Sequence, residues 1–266
     1  MLAQDDPEMF ISMHNSPIII DEFQYAPSLL SYIKINIDEE RLKCLRENKK
    51  APTGMYYLTG SQVFHTMKNV SESLAGRVGI VDLYGLSTRE LNGLDGEIFL
   101  PDIEKLKNRK KCKRYTVNEL YERILKGSYP EIYRNNMLDV EKFYETYIRT
   151  YIERDIRELI NVKDENKFIK FVMNIAARTG QELNITDIAS SIEINNNTAD
   201  NWLSILKNTG LIFLLQTYSN NNIKRIIKKP KIYFMDTGLA CYLTGYVDAN
   251  TLVKTAYSGA IFETYV

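Results

Sequence analysis

The run Pro17-Ile18-Ile19-Ile20 is short, β-branched and free of polar interruptions, the pattern of a strand buried on both faces. Spacing over residues 28–37 becomes helical, and Gly54-Met55-Tyr56-Tyr57-Leu58-Thr59 returns to a buried strand ending at Gly60. Gly79-Ile80-Val81-Asp82-Leu83 reads as a third strand. Strands alternating with helix predict an α/β layer with a mainly parallel sheet. Three strands leave an exposed edge that a natural domain covers or pairs, so further sheet-forming residues are expected upstream.

Between residues 91 and 114 the hydrophobic period fades, and seven of the ten residues from 105 to 114 are Lys or Arg, which predicts a linker or surface excursion. Helical spacing then runs over residues 117–159, broken only at Gly127-Ser128-Tyr129-Pro130, and another helix is expected over 168–179. Residues 185–192 and 197–209, joined by a turn through 193–196 and closed by Gly210, read as helix-turn-helix. Leu211-Ile212-Phe213-Leu214-Leu215 and Lys231-Ile232-Tyr233-Phe234-Met235 follow as two strands around a polar, basic loop, which completes a winged helix. Phe262-Glu263-Thr264-Tyr265-Val266 continues in helical spacing with no stop signal, so the chain is expected to be cut within a helix.

Composition narrows this picture. The 266 residues are 44% hydrophobic and 26% charged, ordinary for a globular protein of about two domains. Lys+Arg and Asp+Glu both number 34, so a basic surface for a polyanion has to be local. Cys44, Cys112 and Cys241, with His14 and His65, show no zinc spacing, and unclustered thiols fit a reducing, cytoplasmic setting. No apolar run approaches the roughly 20 residues of a membrane helix. The first residues carry Asp5 and Asp6 where a signal peptide is basic.

Candidate chemistry begins at the end of the first strand. Ile18-Ile19-Ile20-Asp21-Glu22 has the form of a Walker B motif, in which a buried strand delivers two carboxylates to the ligand end of an open sheet. Asp21 is placed to hold Mg2+ and Glu22 to orient or deprotonate the water that attacks a γ-phosphate. A strand ending in an acidic turn is the plainer alternative. Leu58-Thr59-Gly60-Ser61-Gln62 puts small polar groups at the next strand end, with Ser61 the candidate γ-phosphate sensor and Gln62 the second choice. Arg77, in Ser73-Leu74-Ala75-Gly76-Arg77, suits phosphate charge in cis or across a subunit boundary; an ordinary surface arginine fits the same residues. None of the 13 glycines is followed by Lys, so the Gly-Lys-[Ser/Thr] loop that cradles phosphates does not occur, and only 20 residues precede Asp21.

These residues resemble the bacterial and archaeal AAA-type ATPases whose P-loop domain is followed by a C-terminal domain of unknown function. In the ATPase half, the resemblance rests on Leu2-Ala3-Gln4-Asp5-Asp6-Pro7, Ile20-Asp21-Glu22-Phe23-Gln24-Tyr25-Ala26-Pro27, Leu58-Thr59-Gly60-Ser61-Gln62 and Ser73-Leu74-Ala75-Gly76-Arg77-Val78. In the C-terminal half it rests on Tyr151-Ile152-Glu153-Arg154-Asp155-Ile156, Ala177-Arg178-Thr179-Gly180 and Pro230-Lys231-Ile232-Tyr233-Phe234-Met235-Asp236-Thr237-Gly238-Leu239. It implies ATP and Mg2+ as cofactors, Asp21 and Glu22 as the Walker B pair, a winged helix, and a restriction-endonuclease-like domain starting near Gly259-Ala260-Ile261-Phe262-Glu263. The expected fold class is α/β: an incomplete P-loop ATPase parallel sheet, a helical connector, then an α+β winged-helix domain. The expected boundaries are 1–92 for the ATPase part, 93–145 for the basic linker and connector, 146–246 for the winged helix, and 247–266 for the cut nuclease-like start. Without a Walker A loop the chain is expected to be a fragment that does not hydrolyse ATP alone.

In a winged helix the second helix of the helix-turn-helix enters the major groove. Asn195, Asn196, Asn197, Thr198 and Asn201 stand where base edges are read, although Asp200 shares the stretch and Lys207 is its one cation. A protein-docking role fits the same face. The loop cations Lys224, Arg225, Lys228, Lys229 and Lys231 suit phosphates of duplex DNA. Tyr144, Tyr147 and Tyr151, with Phe143, read as core between connector and winged helix. Glu153-Arg154-Asp155-Ile156-Arg157-Glu158 reads as a paired, exposed helix, with an interdomain ion pair as the alternative. Three functions remain open at this point: an ATPase whose nucleotide state is coupled to a DNA- or protein-binding module, a non-enzymatic DNA-binding protein, and an interaction adaptor with a vestigial ATPase domain. An oligomer is compatible with each.

Overall fold

The computed structural model describes residues 2–60, 74–96, 98–111, 113–151, 165–218 and 228–266. The chain divides into two compact units, Met1–Asp82 and Leu83–Val266.

In the first unit, α1 (Leu2–Asp5) leads into α2 (Pro7–Met13), which starts where Asp6 accepts a hydrogen bond from Met9 N at 2.9 Å and Pro7 supplies a preset φ. Strand β1 (Ile18–Ile20) precedes α3 (Leu29–Arg46), and β2 (Tyr56–Leu58) follows it. The strands pair in parallel, with Ile18 opposite Tyr56, Ile19 opposite Tyr57 and Ile20 opposite Leu58. Ile20, Phe23, Leu29, Leu30 and Ile33 form the centre of a small core with Ile11, Ala26 and Leu74. Only the first turns of α3 are buried; beyond Ile33 the helix is carried by good helix formers, with Leu42 and Leu45 exposed. That is why it outruns the span 28–37 expected from hydrophobic spacing.

The expected third strand is corrected. Residues 79–83 form no strand, and Ile80, Val81 and Leu83 are 57%, 87% and 98% exposed. A β-branched run becomes a strand only where another strand supplies its ladder, and among the described residues of this sheet β1 and β2 pair with each other alone.

The second unit begins with two short helices, α4 (Thr88–Leu91) and α5 (Ile103–Asn108), the latter inside the expected linker. Next come α6 (Val117–Lys126), α7 (Pro130–Arg134) and α8 (Val140–Tyr151). Thr116 and Glu119 cap α6 reciprocally, and Gly127, at φ 71°, ends it. The order continues α9 (Glu165–Ala177), β3 (Gln181–Glu182), α10 (Ile185–Ser191), α11 (Asn196–Asn208), β4 (Ile212–Leu215) and β5 (Lys231–Phe234). Three more helices close it: α12 (Thr237–Leu243), α13 (Ala249–Val253) and α14 (Ser258–Tyr265).

The three strands form an antiparallel sheet in the order β3-β5-β4, with Gln181 opposite Ile232 and Ile212 opposite Phe234. β3 has two exposed polar residues, which no hydrophobic pattern could reveal. One core runs through this unit, and Phe168 and Phe171 meet Trp202 edge-on at 5.3 and 5.5 Å. Tyr144 and Tyr151 are buried in the same cluster and Tyr147 packs against it. The Glu153 to Glu158 cluster lies outside the described residues.

Candidate functional site

The parallel pairing of β1 and β2 brings their C-terminal ends side by side. Thr59 N donates to Ile20 O at 3.0 Å and Phe23 N to Thr59 O at 3.1 Å, so the ladder continues past both strands. Asp21 is exposed there, and its Oδ1 accepts the Thr59 hydroxyl. Glu22 is half-buried in a left-handed conformation, φ 51° and ψ 44°, which turns the chain sharply out of the strand into a 3-10 turn, Phe23–Tyr25. A non-glycine residue held there costs about 1 kcal/mol, which the buried Phe23 anchor next to it offsets. Gln24 Nε2 donates to Glu22 Oε2. The two carboxylates therefore leave one strand end in different directions, one toward Thr59 and one toward Gln24.

Thr59 is the residue that sequence reading passed over. Threonine is common in strands, and only pairing across 38 residues of chain shows it facing Asp21. Ser61 and Gln62 lie outside the described residues.

Arg77 is engaged elsewhere. Its guanidinium grips Asp38 of α3, Nε to Oδ1 at 2.7 Å and Nη2 to Oδ2 at 2.8 Å, and Nη1 donates to Ala75 O at 3.1 Å. Hydrogen bonding to Arg77, then the charges of Arg77, Arg41 and Lys34, holds the Asp38 carboxyl below its ordinary value, while Asp38 pushes Arg77 up. The structure joins Asp21 to Thr59 and Arg77 to Asp38.

In the second unit Asn195 caps α11, accepting from Thr198 N at 2.7 Å, so its side chain serves the helix. Asn196, Asn197, Asp200 and Asn201 are exposed on the first turns and Thr198 is half-buried. Lys228 and Lys229 are exposed, and Lys224 and Arg225 lie outside the described residues. Lys231 differs: its Nζ donates to Glu263 Oε1 at 2.6 Å, and Tyr233 Oη donates to the same oxygen at 2.5 Å. That hydrogen bonding raises Lys231 and lowers Glu263 from their ordinary values.

The Pro230 to Leu239 segment centres on a buried carboxylate. Asp236 is 4% exposed, and its Oδ2 accepts from Ser128 N at 2.6 Å and Ser128 Oγ at 2.8 Å. Its Oδ1 accepts from Leu239 N at 2.7 Å and Tyr144 Oη at 2.8 Å. One side chain caps α12, holds the turn after α6 and fixes α8. A Cβ on Gly127 would meet the Asp236 carboxylate, and one on Gly238 would lie 2.7 Å from Leu125 O, so both glycines are required by close approach.

Asp21, exposed, and Glu22, half-buried, stand at the end of a parallel strand, and residues 2–92 match the family described as AAA domain. Residues 117–250, half of the chain, match the family described as Domain of unknown function (DUF8612), and the chain belongs to that family. It is similar to two uncharacterized proteins, Rv2008c of Mycobacterium tuberculosis and Mb2031c of Mycobacterium bovis, each 26% identical over 264 residues. The matches cover 98% of this chain and 52% of each relative, so the chain spans about half the length of the curated relatives it matches. No solved structure matches. Among the described residues no helix is long and apolar enough to cross a membrane.

Proposed function

We propose that residues 2–92 build the magnesium-facing half of an ATP site, and that its nucleotide state is coupled to a winged-helix module formed by α9 to β5. The observation that carries this reading is the Asp21–Thr59 hydrogen bond across the ends of two parallel strands. Exposed carboxylate and hydroxyl oxygens at a strand end are the hard donors Mg2+ takes. When bound, Mg2+·ATP supplies the transferable phosphoryl group and the cation that offsets its charge. Asp21 would hold the hydrated cation, Thr59 fixes the Asp21 rotamer, and Glu22 would orient the attacking water or take its proton. The Gly-Lys-[Ser/Thr] anchor for the phosphates does not occur in these 266 residues, so hydrolysis is assigned to an assembly that supplies it.

Manganese substituted for magnesium tests the half-site by NMR. At millimolar Mn2+·ATP, paramagnetic broadening centred on Asp21, Glu22 and Thr59 and lost in Asp21→Asn is expected. Broadening centred elsewhere overturns the assignment, and micromolar affinity for a fluorescent ATP analogue overturns the need for a separate anchor.

The order α9, β3, α10, α11, β4, β5 supports reading α11 as the second helix of a winged helix's helix-turn-helix. Exposed Asn197 and Asn201, with Lys228 and Lys229 beside β5, support duplex DNA as its partner. A steep loss of affinity across a salt series is expected. A flat, weak response assigns the module to a protein partner instead.

A further inference from the structure

A cavity of about 430 Å³ opens in the second unit between α6, the start of α8, α12 and the turn into α13. That volume lies in the range of small-molecule sites, about 300–1,000 Å³. Three tyrosines, Tyr144, Tyr242 and Tyr246, form its aromatic wall together with the aliphatic Leu125 and Val140. Aromatic faces carry negative potential, so they attract cations and repel anions.

The charged lining has the matching sign. Glu122, Asp139, Glu141 and Asp248 stand against the single cation Lys126. Three of those carboxylates have structural partners: Asp139 accepts from Lys142 N at 3.1 Å, Asp248 from Thr251 N at 2.7 Å, and Glu122 from Asn118 Nδ2 at 3.1 Å. The Glu141 side chain makes no hydrogen bond or ion pair with a described residue, so its charge is not consumed by the fold. The negative field reaches the wall itself: burial first, then Glu145 and Glu141, pushes the Tyr242 hydroxyl above its ordinary value. Neither the nucleotide half-site nor the α11 face uses any of these residues.

We propose that this cavity binds an organic cation, an ammonium or guanidinium group carried on an apolar stem that lies along Tyr242 and Tyr246 with its charge at Glu141. Two sources share that chemistry, a free polyamine and a basic side chain of a partner protein. The stem would be held by aromatic and aliphatic contact, and the head by carboxylates whose second lone pairs remain after helix capping.

Calorimetry and amide chemical shifts on the whole chain test this with spermidine, an Arg/Lys hexapeptide and hexanoate. Saturable binding of a cation is expected, with shifts at Val140, Tyr242, Val247 and Ala249 and none with hexanoate. Glu141→Gln, which removes a charge without removing a structural bond, should weaken binding about threefold to fivefold. Tyr242→Leu should weaken it further, with thermal melting confirming that both variants fold. Tighter binding of the hexapeptide names a protein side chain as the source, and tighter binding of spermidine a free polyamine; either supports the site. Absence of saturable binding by both cations, equal binding of hexanoate, or an unchanged affinity in Glu141→Gln overturns it.

Discussion

Arg77 reaches Asp38 with two nitrogens at once, Nε to Oδ1 at 2.7 Å and Nη2 to Oδ2 at 2.8 Å. The planar fork matches a carboxylate as well as it would match a phosphate, so an Arg77 that serves nucleotide has to exchange one partner for the other. Asp38 therefore supports Arg77 and competes with any phosphate for its guanidinium.

The pair sets a titration. Asp38 is held below 3.8 by Arg77, so an NMR titration should place its midpoint under that value in the wild type and close to it in Arg77→Ala. A lowered carboxyl contributes stability that is present above the unfolded value and lost as pH falls through the folded one. The stability gap between wild type and Arg77→Ala should shrink as the pH drops below 3.8, and also in high salt, because the side chains are 26% and 37% exposed.

Asp236 should be far less tolerant of change. Each carboxylate oxygen accepts from a backbone N–H, Ser128 on one side and Leu239 on the other, so an amide in either orientation sets an NH2 against an obligate donor. Asp236→Asn should cost about 2–4 kcal/mol in urea unfolding, and Tyr144→Phe, which removes one hydroxyl that donates to Asp236 and to Lys126 O, about 1 kcal/mol. Equal losses in the two variants would show that the carboxylate's charge and shape do not matter there.

The contrast between these two aspartates marks what could be read from sequence. The Ile18 to Glu22 strand end was legible because β-branched burial and paired carboxylates are local patterns. The partner of Arg77 was not, since Asp38 lies 39 residues away on the polar part of a helix whose apolar period has already ended. Residues 79–83 carry a strand-like pattern without a strand, because no local signal reports the missing ladder. Thr59 and the pairing of Asp236 with Ser128, 108 residues apart, are likewise products of topology. What chain pattern marks is burial and charge type; which charges meet is settled only when the elements pack.

Thiol chemistry offers a check on packing in the second unit. Burial pushes the Cys241 thiol up to about 12 from 9.0, whereas Cys44 is half-buried. An aromatic disulfide reagent at mildly alkaline pH should modify Cys44 quickly and Cys241 only at the rate of unfolding. The sign of the linkage follows: the contribution of protonated Cys241 is intact below pH 9 and is lost as pH rises from 9 toward 12, so Cys241→Ser should flatten that decline.

The lysines leading into and opening β5 give the sharpest test of the winged-helix reading, because Lys231, the first residue of that strand, is already committed. Each Lys that neutralises a DNA phosphate releases counterion and adds about 0.9 to the slope of log affinity against log salt. Lys228 and Lys229 are exposed, so the double change Lys228→Ala, Lys229→Ala should lower that slope by up to about 2. Lys231 instead donates to Glu263 at 2.6 Å, and Tyr233 holds the same oxygen. Moving Lys231 onto a phosphate would strand Glu263 beside the polyanion, which is repulsive. Lys231→Ala should therefore leave the slope unchanged. Glu263→Gln should release Lys231 and raise affinity at low salt. If Lys231→Ala lowers the slope as much as either exposed lysine, the ion pair opens on binding and Lys231 belongs to the DNA contact.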